Sequence, residues 1–338
     1  METKKLFYKS KKDIKTAATI LKDGGIVAIP TETVYGLAAS AFNEDAIKAV
    51  FTAKGRPQDN PLIVHISAFR QIKQIAASFP KSAKKCAKKF WPGPLTIILP
   101  KKDSLNTTVT AGLDSVAIRM PSDKTARKII SKSCPLAAPS ANLSGSPSPT
   151  SAQHVIDDLS GKIDAIVVGE DCKVGVESTV ISLLGEHPTL LRPGGVTVGM
   201  LKKVLPDLVI DPAVENELKT DQKVLSPGLK YKHYSPKTQV ILVEASSKDF
   251  VDFLNLKTGE SVAALCFSEE KANVKIPAIS YGSESDDSEK AKELFLKLRE
   301  IDSLGVQTVF AHAPKKEGIG LAVYNRLIRA AAFKVIKL

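Results

Sequence analysis

Four cysteines in 338 residues (Cys86, Cys134, Cys172 and Cys266) are too few and too scattered for a disulfide scaffold. None stands at C-x-x-C spacing, which excludes a zinc knuckle or a dithiol redox motif. Buried or idle thiols in a reducing cytosol are the expectation that remains. Long apolar runs are also missing: Thr96–Leu99 and Val262–Phe267 are far too short to span a bilayer, so no membrane is expected as partner. The opening residues Met1-Glu2-Thr3-Lys4-Lys5 lack the apolar segment of a secretory signal, and the expected compartment is cytoplasmic. Several familiar chemistries are absent as motifs. There is no G-x-x-x-x-G-K-[ST] phosphate loop, no H-E-x-x-H, no G-x-S-x-G, and the five histidines show no metal-ligand spacing. Gly318-Ile319-Gly320 lacks the third glycine of a dinucleotide fingerprint and reads as helix-entry geometry.

The length calls for two domains, and a 43% hydrophobic composition places the chain among globular proteins. The net charge of +12 is uneven: residues 1–210 hold 29 Lys+Arg against 18 Asp+Glu, and the remainder 19 against 18. An N-terminal excess of this kind attracts polyanions such as nucleotides or RNA; it equally fits a Lys-rich solvated surface.

Helical spacing of Ile14, Ala17, Ala18 and Leu21 predicts a helix over 13–22, stopped by Gly24-Gly25. A buried strand follows at 26–29, then a helix capped by Asn43 that ends near Gly55. Further strands are expected at 61–66, 95–99, 116–120, 136–139, 165–168, 178–184 and 190–191. Helices are expected at 67–77, 81–90, 123–131 and 150–159. The helix 81–90 carries Lys84, Lys85, Lys88 and Lys89 on one face. Leu205–Lys237 loses this rhythm, contains four prolines and reads as a linker. From Thr238 strands and helices alternate again, the pattern of a small parallel sheet with helices on both faces.

Polar groups cluster where strands end. Pro30-Thr31-Glu32-Thr33-Val34-Tyr35-Gly36-Leu37 follows a buried strand and could hold a small polar ligand or simply form a Thr-rich turn. Lys54-Gly55-Arg56-Pro57, with Asn60 and His65 beyond, sets a point charge beside a planar guanidinium, suited to a triphosphate or carboxylate. A helix C-terminus complemented by cations explains Lys54 as well, but not Asn60 and His65. Arg119 ends the apolar strand from Ser115 and is either an ion-pair partner or an anion clamp. Ala138-Pro139-Ser140-Ala141-Asn142, with Ser144, Gly145 and Ser148, offers hydroxyls and free N–H groups to phosphate oxygens. Glu177-Ser178-Thr179 and Arg192-Pro193-Gly194 add two more polar strand ends.

Taken in order, P-T-E-T-V-Y-G-L, K-G-R-P, N-P-L-I-V-H, W-P-G-P-L-T, A-I-R-M-P, A-P-S-A-N-L-S-G, E-S-T-V and L-R-P-G resemble the YrdC-type domain of the threonylcarbamoyl-AMP synthase family. The segment Ser226–Pro236 resembles the linker of the family's long form, with Leu229 where methionine is expected. The resemblance implies an N-terminal YrdC-like α/β domain with a large twisted mixed sheet flanked by helices (1–207), a linker and active-site lid (208–237), and a small C-terminal Rossmann-like domain (238–338). It also implies an enzyme that makes threonylcarbamoyl-AMP and pyrophosphate from L-threonine, bicarbonate and ATP with Mg²⁺. A separate transferase complex then modifies adenosine 37 of tRNA. Thr33, His65, Arg119, Ala138 and Ser178 are implied to hold threonine. Arg56, Asn60, Ser115, Ser140, Ser148 and Arg192 are implied to hold ATP, with Tyr234 reaching back over the nucleotide. Lys54, Arg56, Ser140 and Asn142 form the family's paired signature, implied to serve phosphate binding and transition-state charge. The competing class is an RNA-binding or ribosome-associated module; a carbamoyl-transfer domain acting on another acceptor ranks last.

Overall fold

The backbone accounts for its own polar groups mainly through one large and one small sheet, in a computed structural model that describes residues 2–217 and 234–338. The large sheet contains β1 (Lys4–Phe7), β2 (Val27–Ile29), β3 (Gly36–Ser40), β4 (Ile63–His65), β5 (Leu95–Pro100), β6 (Ser115–Arg119), β7 (Leu136–Ala137), β8 (Ala165–Val168), β9 (Thr179–Ser182), β10 (Thr189–Arg192) and β11 (Val209–Ile210). Their spatial order is β1-β8-β2-β3-β7-β4-β6-β5-β9-β10-β11, and the ladders are mixed: β4 runs parallel to β6, while β5 and β6 are antiparallel.

Alternation along each strand decides which residues meet. On one face Leu37, Val64, Ile97, Leu99, Val116, Ile118 and Ile181 pack with the helices Glu44–Lys54 and Lys81–Phe90. On the opposite face the helices Lys11–Lys22 and Lys124–Lys132 cover β1, β8, β2, β3 and β7 through Ile14, Leu21, Ile129 and Ile130. The other half of that face carries a small cluster made of strand residues only: Ile63, Ile98, Ala117, Val180 and Leu191. This half becomes the floor of a cleft.

The smaller sheet has five parallel strands, β12 (Gln239–Glu244), β13 (Val262–Cys266), β14 (Ala278–Ser280), β15 (Thr308–His312) and β16 (Val335–Lys337), in the order β14-β13-β15-β12-β16. Helices Asp287–Glu300 and Gly320–Ala330 bury Leu294, Phe295, Val323 and Leu327 on one side of it. Helix Ser247–Asn255 buries Phe250 and Leu254 on the other. The alternation of elements after Thr238 therefore has its expected outcome, a doubly covered parallel sheet.

Three local readings differ from the structure. The helix expected over 67–77 is a 3-10 turn (Phe69–Gln71) followed by one short helix (Ile72–Ile75). Ala76 is captured by an isolated bridge to Lys101 instead, and pairing with the chain just past β5 outcompetes another helical turn. The stretch from Leu205, read as linker, adds β11 to the large sheet and a 3-10 turn at Pro212–Val214 with Val214 buried. The short edge strands β1, β14 and β16 were not expected, because three or four residues carry too little periodicity to register.

Candidate active site

The end of helix Glu44–Lys54 shows how local sequence places a cation. Gly55 takes the left-handed conformation (φ 60°, ψ 37°), donates to the carbonyls of Phe51 and Thr52, and reverses the chain as a C′ glycine does. The reversal sets Arg56 beside Lys54 on the wall of a cleft. Lys54 itself is buried. Its Nζ donates to the carbonyls of Ser140 (2.5 Å) and Asn142 (2.6 Å) and reaches Asn142 Oδ1 at 3.5 Å, while its own carbonyl accepts from Ser144 N–H. Asn142 Nδ2 donates onward to the carbonyls of Leu143 and Ser146. The two short motifs are thus one object: Lys54 shapes the Ser140–Ser146 loop, and the half-buried Ser140 hydroxyl faces the cleft. Burial, and then Arg56, hold the Lys54 ammonium well below its usual pKa.

The opposite wall comes from the β2–β3 connection. Thr31 Oγ1 donates to the Val34 carbonyl at 2.6 Å, folding Thr31–Val34 into a tight buried turn. Thr33 Oγ1 accepts from Arg119 Nη1 (2.9 Å), and Arg119 Nη2 pairs with Glu32 Oε1 (2.8 Å), both side chains being almost wholly buried. Burial alone would raise the Glu32 pKa, but Arg119 outweighs it and the net direction is down. Arg119 is therefore ion-paired and faces the cleft at once. Residue pairing across β4 and β6 sets His65 opposite Arg119 and Ile63 opposite Ala117, so all four share the floor. His65 Nδ1 lies 3.2 Å from the Ile63 carbonyl; burial and then Arg119 push its pKa down to about 3.

A neutral buried histidine has a consequence for stability. Its folded pKa lies below the unfolded value of about 6.5, so its contribution is complete above that pH and is lost as pH falls toward about 3. His154, whose pKa burial also lowers, shares the window. Thermal unfolding followed across mildly acidic pH is expected to show a falling midpoint, and His65→Gln is expected to flatten that fall. An unchanged slope in the variant would refute the assignment of His65 to this window.

At the far end, Arg192 donates from Nε to the Ser178 carbonyl (3.0 Å) and from Nη2 to Ser178 Oγ (3.2 Å), whose hydroxyl also meets Thr96 at 2.8 Å. Burial lowers the Arg192 pKa to about 10, leaving it cationic at neutral pH. Tyr234 is buried at the rim with φ 64°, a left-handed conformation rare for a tyrosine. The adjacent Ser235 N–H donates to the Gly145 carbonyl of the loop.

Of the fourteen residues singled out from sequence, eleven line this cleft: Thr33, Lys54, Arg56, His65, Arg119, Ala138, Ser140, Asn142, Ser178, Arg192 and Tyr234. The structure does not bring Asn60, Ser115 and Ser148 onto its wall. Asn60 is buried beside Pro61, and neither end of its amide has a hydrogen-bond partner among the described residues. Ser115 begins β6, on the floor face but about 13 Å from Arg119 at the rise of a strand. The Ser148 hydroxyl donates to Glu177 Oε1 behind the wall. Glu32 and Glu177, quoted within motifs but given no task, turn out to orient the arginines. Residues 218–233 of the segment read as a lid lie outside the described residues.

The chain matches the family model described as "Telomere recombination" (Sua5–YciO–YrdC) over residues 19–194, and the model described as "Threonylcarbamoyl-AMP synthase, C-terminal domain" over 196–332. It belongs to the threonylcarbamoyl-AMP synthase family. Within that family it is 45% identical to the threonylcarbamoyl-AMP synthase of Pyrococcus abyssi, over 96% of this chain and 95% of the relative. It is 42% identical to the threonylcarbamoyl-AMP synthase of Bacillus subtilis over the whole of both chains. A crystal structure of the Pyrococcus abyssi protein complexed with L-threonine superposes with a TM-score of 0.92 at 41% identity, covering all of both chains. The Pyrococcus abyssi structure thus shares both domains and their arrangement with this chain.

Among the described residues no helix is long and apolar enough to cross a membrane. No group of three His, Cys, Asp or Glu could by itself hold a metal there.

Proposed function

We infer that this chain is an L-threonylcarbamoyladenylate synthase, an enzyme that joins L-threonine, bicarbonate and ATP into threonylcarbamoyl-AMP with release of pyrophosphate. The observation that carries the reading is one cleft in which a buried, ion-paired arginine (Arg119) stands at one end and a cation-shaped serine loop (Lys54, Arg56, Ser140, Asn142) at the other. An amino acid and a nucleotide need those two ends.

Arg119 takes the threonine carboxylate, with Thr33, Ala138, Ser178 and neutral His65 around the rest of the amino acid. The threonine amine adds to the carbon of bicarbonate (or of CO2 formed from it), water is lost, and a carbamate results. A carbamate oxygen then attacks the α-phosphorus, the bond to the bridging oxygen breaks, and pyrophosphate leaves with the electron pair. Negative charge grows on the α-phosphoryl oxygens and the leaving group, where Arg56 and the Ser140 loop supply preorganised donors. Lys54 acts by holding that loop. ATP enters as its Mg²⁺ complex, the ion being substrate-borne. Glu177, on the cleft wall, is engaged by Arg326, and Glu32, buried in the β2–β3 connection, by Arg119. Asn60, Ser115, Ser148 and Arg192 belong to the nucleotide side, and Tyr234 covers it, shielding carbamate and adenylate from water. The product serves a transferase that modifies adenosine 37 of tRNA. The exposed Lys84, Lys85, Lys88 and Lys89, outside the cleft, are the surface to which RNA would be drawn.

Arg56→Ala tests the chemistry with little risk to the fold, because Arg56 is only half-buried. Formation of threonylcarbamoyl-AMP, followed by mass spectrometry, is expected to drop about a hundred-fold or more. Wild-type-like product formation would remove Arg56 from the transition state.

A further inference from the structure

The C-terminal domain inserts an arginine into the catalytic domain. Arg326, on the helix Gly320–Ala330, is fully buried. Its Nε donates to Glu177 Oε2 (2.8 Å), Nη1 to the Pro193 carbonyl (2.7 Å) and Nη2 to the Glu177 carbonyl (3.2 Å). The far oxygen of Glu177 accepts from Ser148, and Glu177 lines the cleft beside Ser178 and Arg192. The Arg326 guanidinium lies 5.9 Å from the centre of the Tyr234 ring, which also rests 5.2 Å from Phe295. The surrounding interface is closely packed. A Cβ on Gly175 would come within 2.3 Å of the backbone of Lys292, so the catalytic domain touches helix Asp287–Glu300 main chain to main chain.

We propose that Arg326 is a positioning residue for the nucleotide side of the cleft: it fixes Glu177, and through Glu177 it fixes the hydroxyl of Ser148. A buried carboxylate is costly unless paired, and any shift in it is passed directly to the groups it holds. Ser148 gives its proton to Glu177, so the loop that carries it is tied to that carboxylate from behind the wall. Burial would raise the Glu177 pKa, but Arg326 and then Arg192 reverse the direction and keep it ionised. The groups facing that carboxylate are Arg326 from the C-terminal helix, Arg192 from β10, Ser148 from the loop and Tyr234 from the rim. The second domain is therefore part of the active site, although it supplies no residue to the cleft wall after Tyr234.

The inference rests on the reading of the cleft as a synthase site, and one assay separates the two. Steady-state pyrophosphate release by the full chain would be measured with ATP and threonine varied separately, from mildly acidic to mildly alkaline pH. Arg326→Gln is expected to raise the KM for ATP about ten-fold, the worth of one charge-assisted contact. The KM for threonine should stay within about two-fold, and the acid limb should move to higher pH because Glu177 loses its main counter-charge. Arg326→Lys should return the acid limb toward the wild type. Arg329→Gln is the matched control: one turn along the same helix, Arg329 bonds the Ala213 carbonyl instead and should leave both KM values unchanged. An unaltered ATP KM and acid limb in Arg326→Gln would overturn the proposal, as would an identical change in Arg329→Gln, which would make Arg326 a domain clamp only. If Arg326→Gln does not fold, Ser148→Ala serves instead, and a wild-type ATP KM there would overturn it equally. A wild-type chain without threonine-dependent release would sink the reading of the cleft itself.

Discussion

Replacing Arg119 by glutamine is expected to weaken threonine binding by at least about a hundred-fold, the worth of a bidentate charge-assisted pair. The same change should cost about 3–5 kcal/mol of stability, because Glu32 is left charged and unpaired in a buried site. The second effect is a warning that the first must be measured on folded protein. Calorimetric titration with threonine, beside a thermal unfolding curve, separates them. Glu32→Gln provides the complement. Arg119 keeps its charge but loses the partner that aims it, so a milder loss of threonine affinity, about ten-fold, is expected. Threonine binding that survives Arg119→Gln unchanged would show that the buried pair is structural and that the carboxylate sits elsewhere.

Lys54→Met should have the next largest effect, and for a different reason. The side chain volume is nearly kept, but the carbonyls of Ser140 and Asn142 lose their donor in a buried place. Unmade hydrogen bonds of that kind cost about 1–3 kcal/mol each, and the loop they shape is the one that faces the phosphates. Activity is expected to fall about a hundred-fold or more, with threonine affinity little changed, since Lys54 lies across the cleft from Arg119. Were Lys54 a direct phosphate ligand only, the loop would keep its shape. Amide exchange over residues 140–146 would then match the wild type, which contradicts the account.

The site was legible in the sequence because its residues end strands. Parity along β4 and β6 dictates that His65 and Arg119 face the same way, and the turn at Gly55 is written in a helix pattern that stops at a glycine. What the residues alone left open was the partner of each charge. Arg119 could be an ion-pair partner or an anion clamp; the structure pairs it with Glu32 while leaving it facing the cleft. Spacing could not assign Lys54 to the loop, because Ser140 and Asn142 lie more than eighty residues away. Arg326 was invisible for the same reason: its partner is 149 positions distant, and in one dimension a helix with Asn325, Arg326 and Arg329 looks amphipathic, whereas all three are buried. The short helix at 72–75 and the docked segment 209–214 were misread because backbone pairing with distant strands, which local sequence does not encode, captured them. Chain-wide motif order, rather than any single motif, carried the functional reading.

The most direct test of the central claim is pyrophosphate release by the purified full chain with ATP and Mg²⁺, with threonine and bicarbonate supplied together and each withheld in turn. The account predicts release only when both are present, in step with formation of threonylcarbamoyl-AMP. Release that ignores threonine, or none from folded protein given all three substrates, would contradict it.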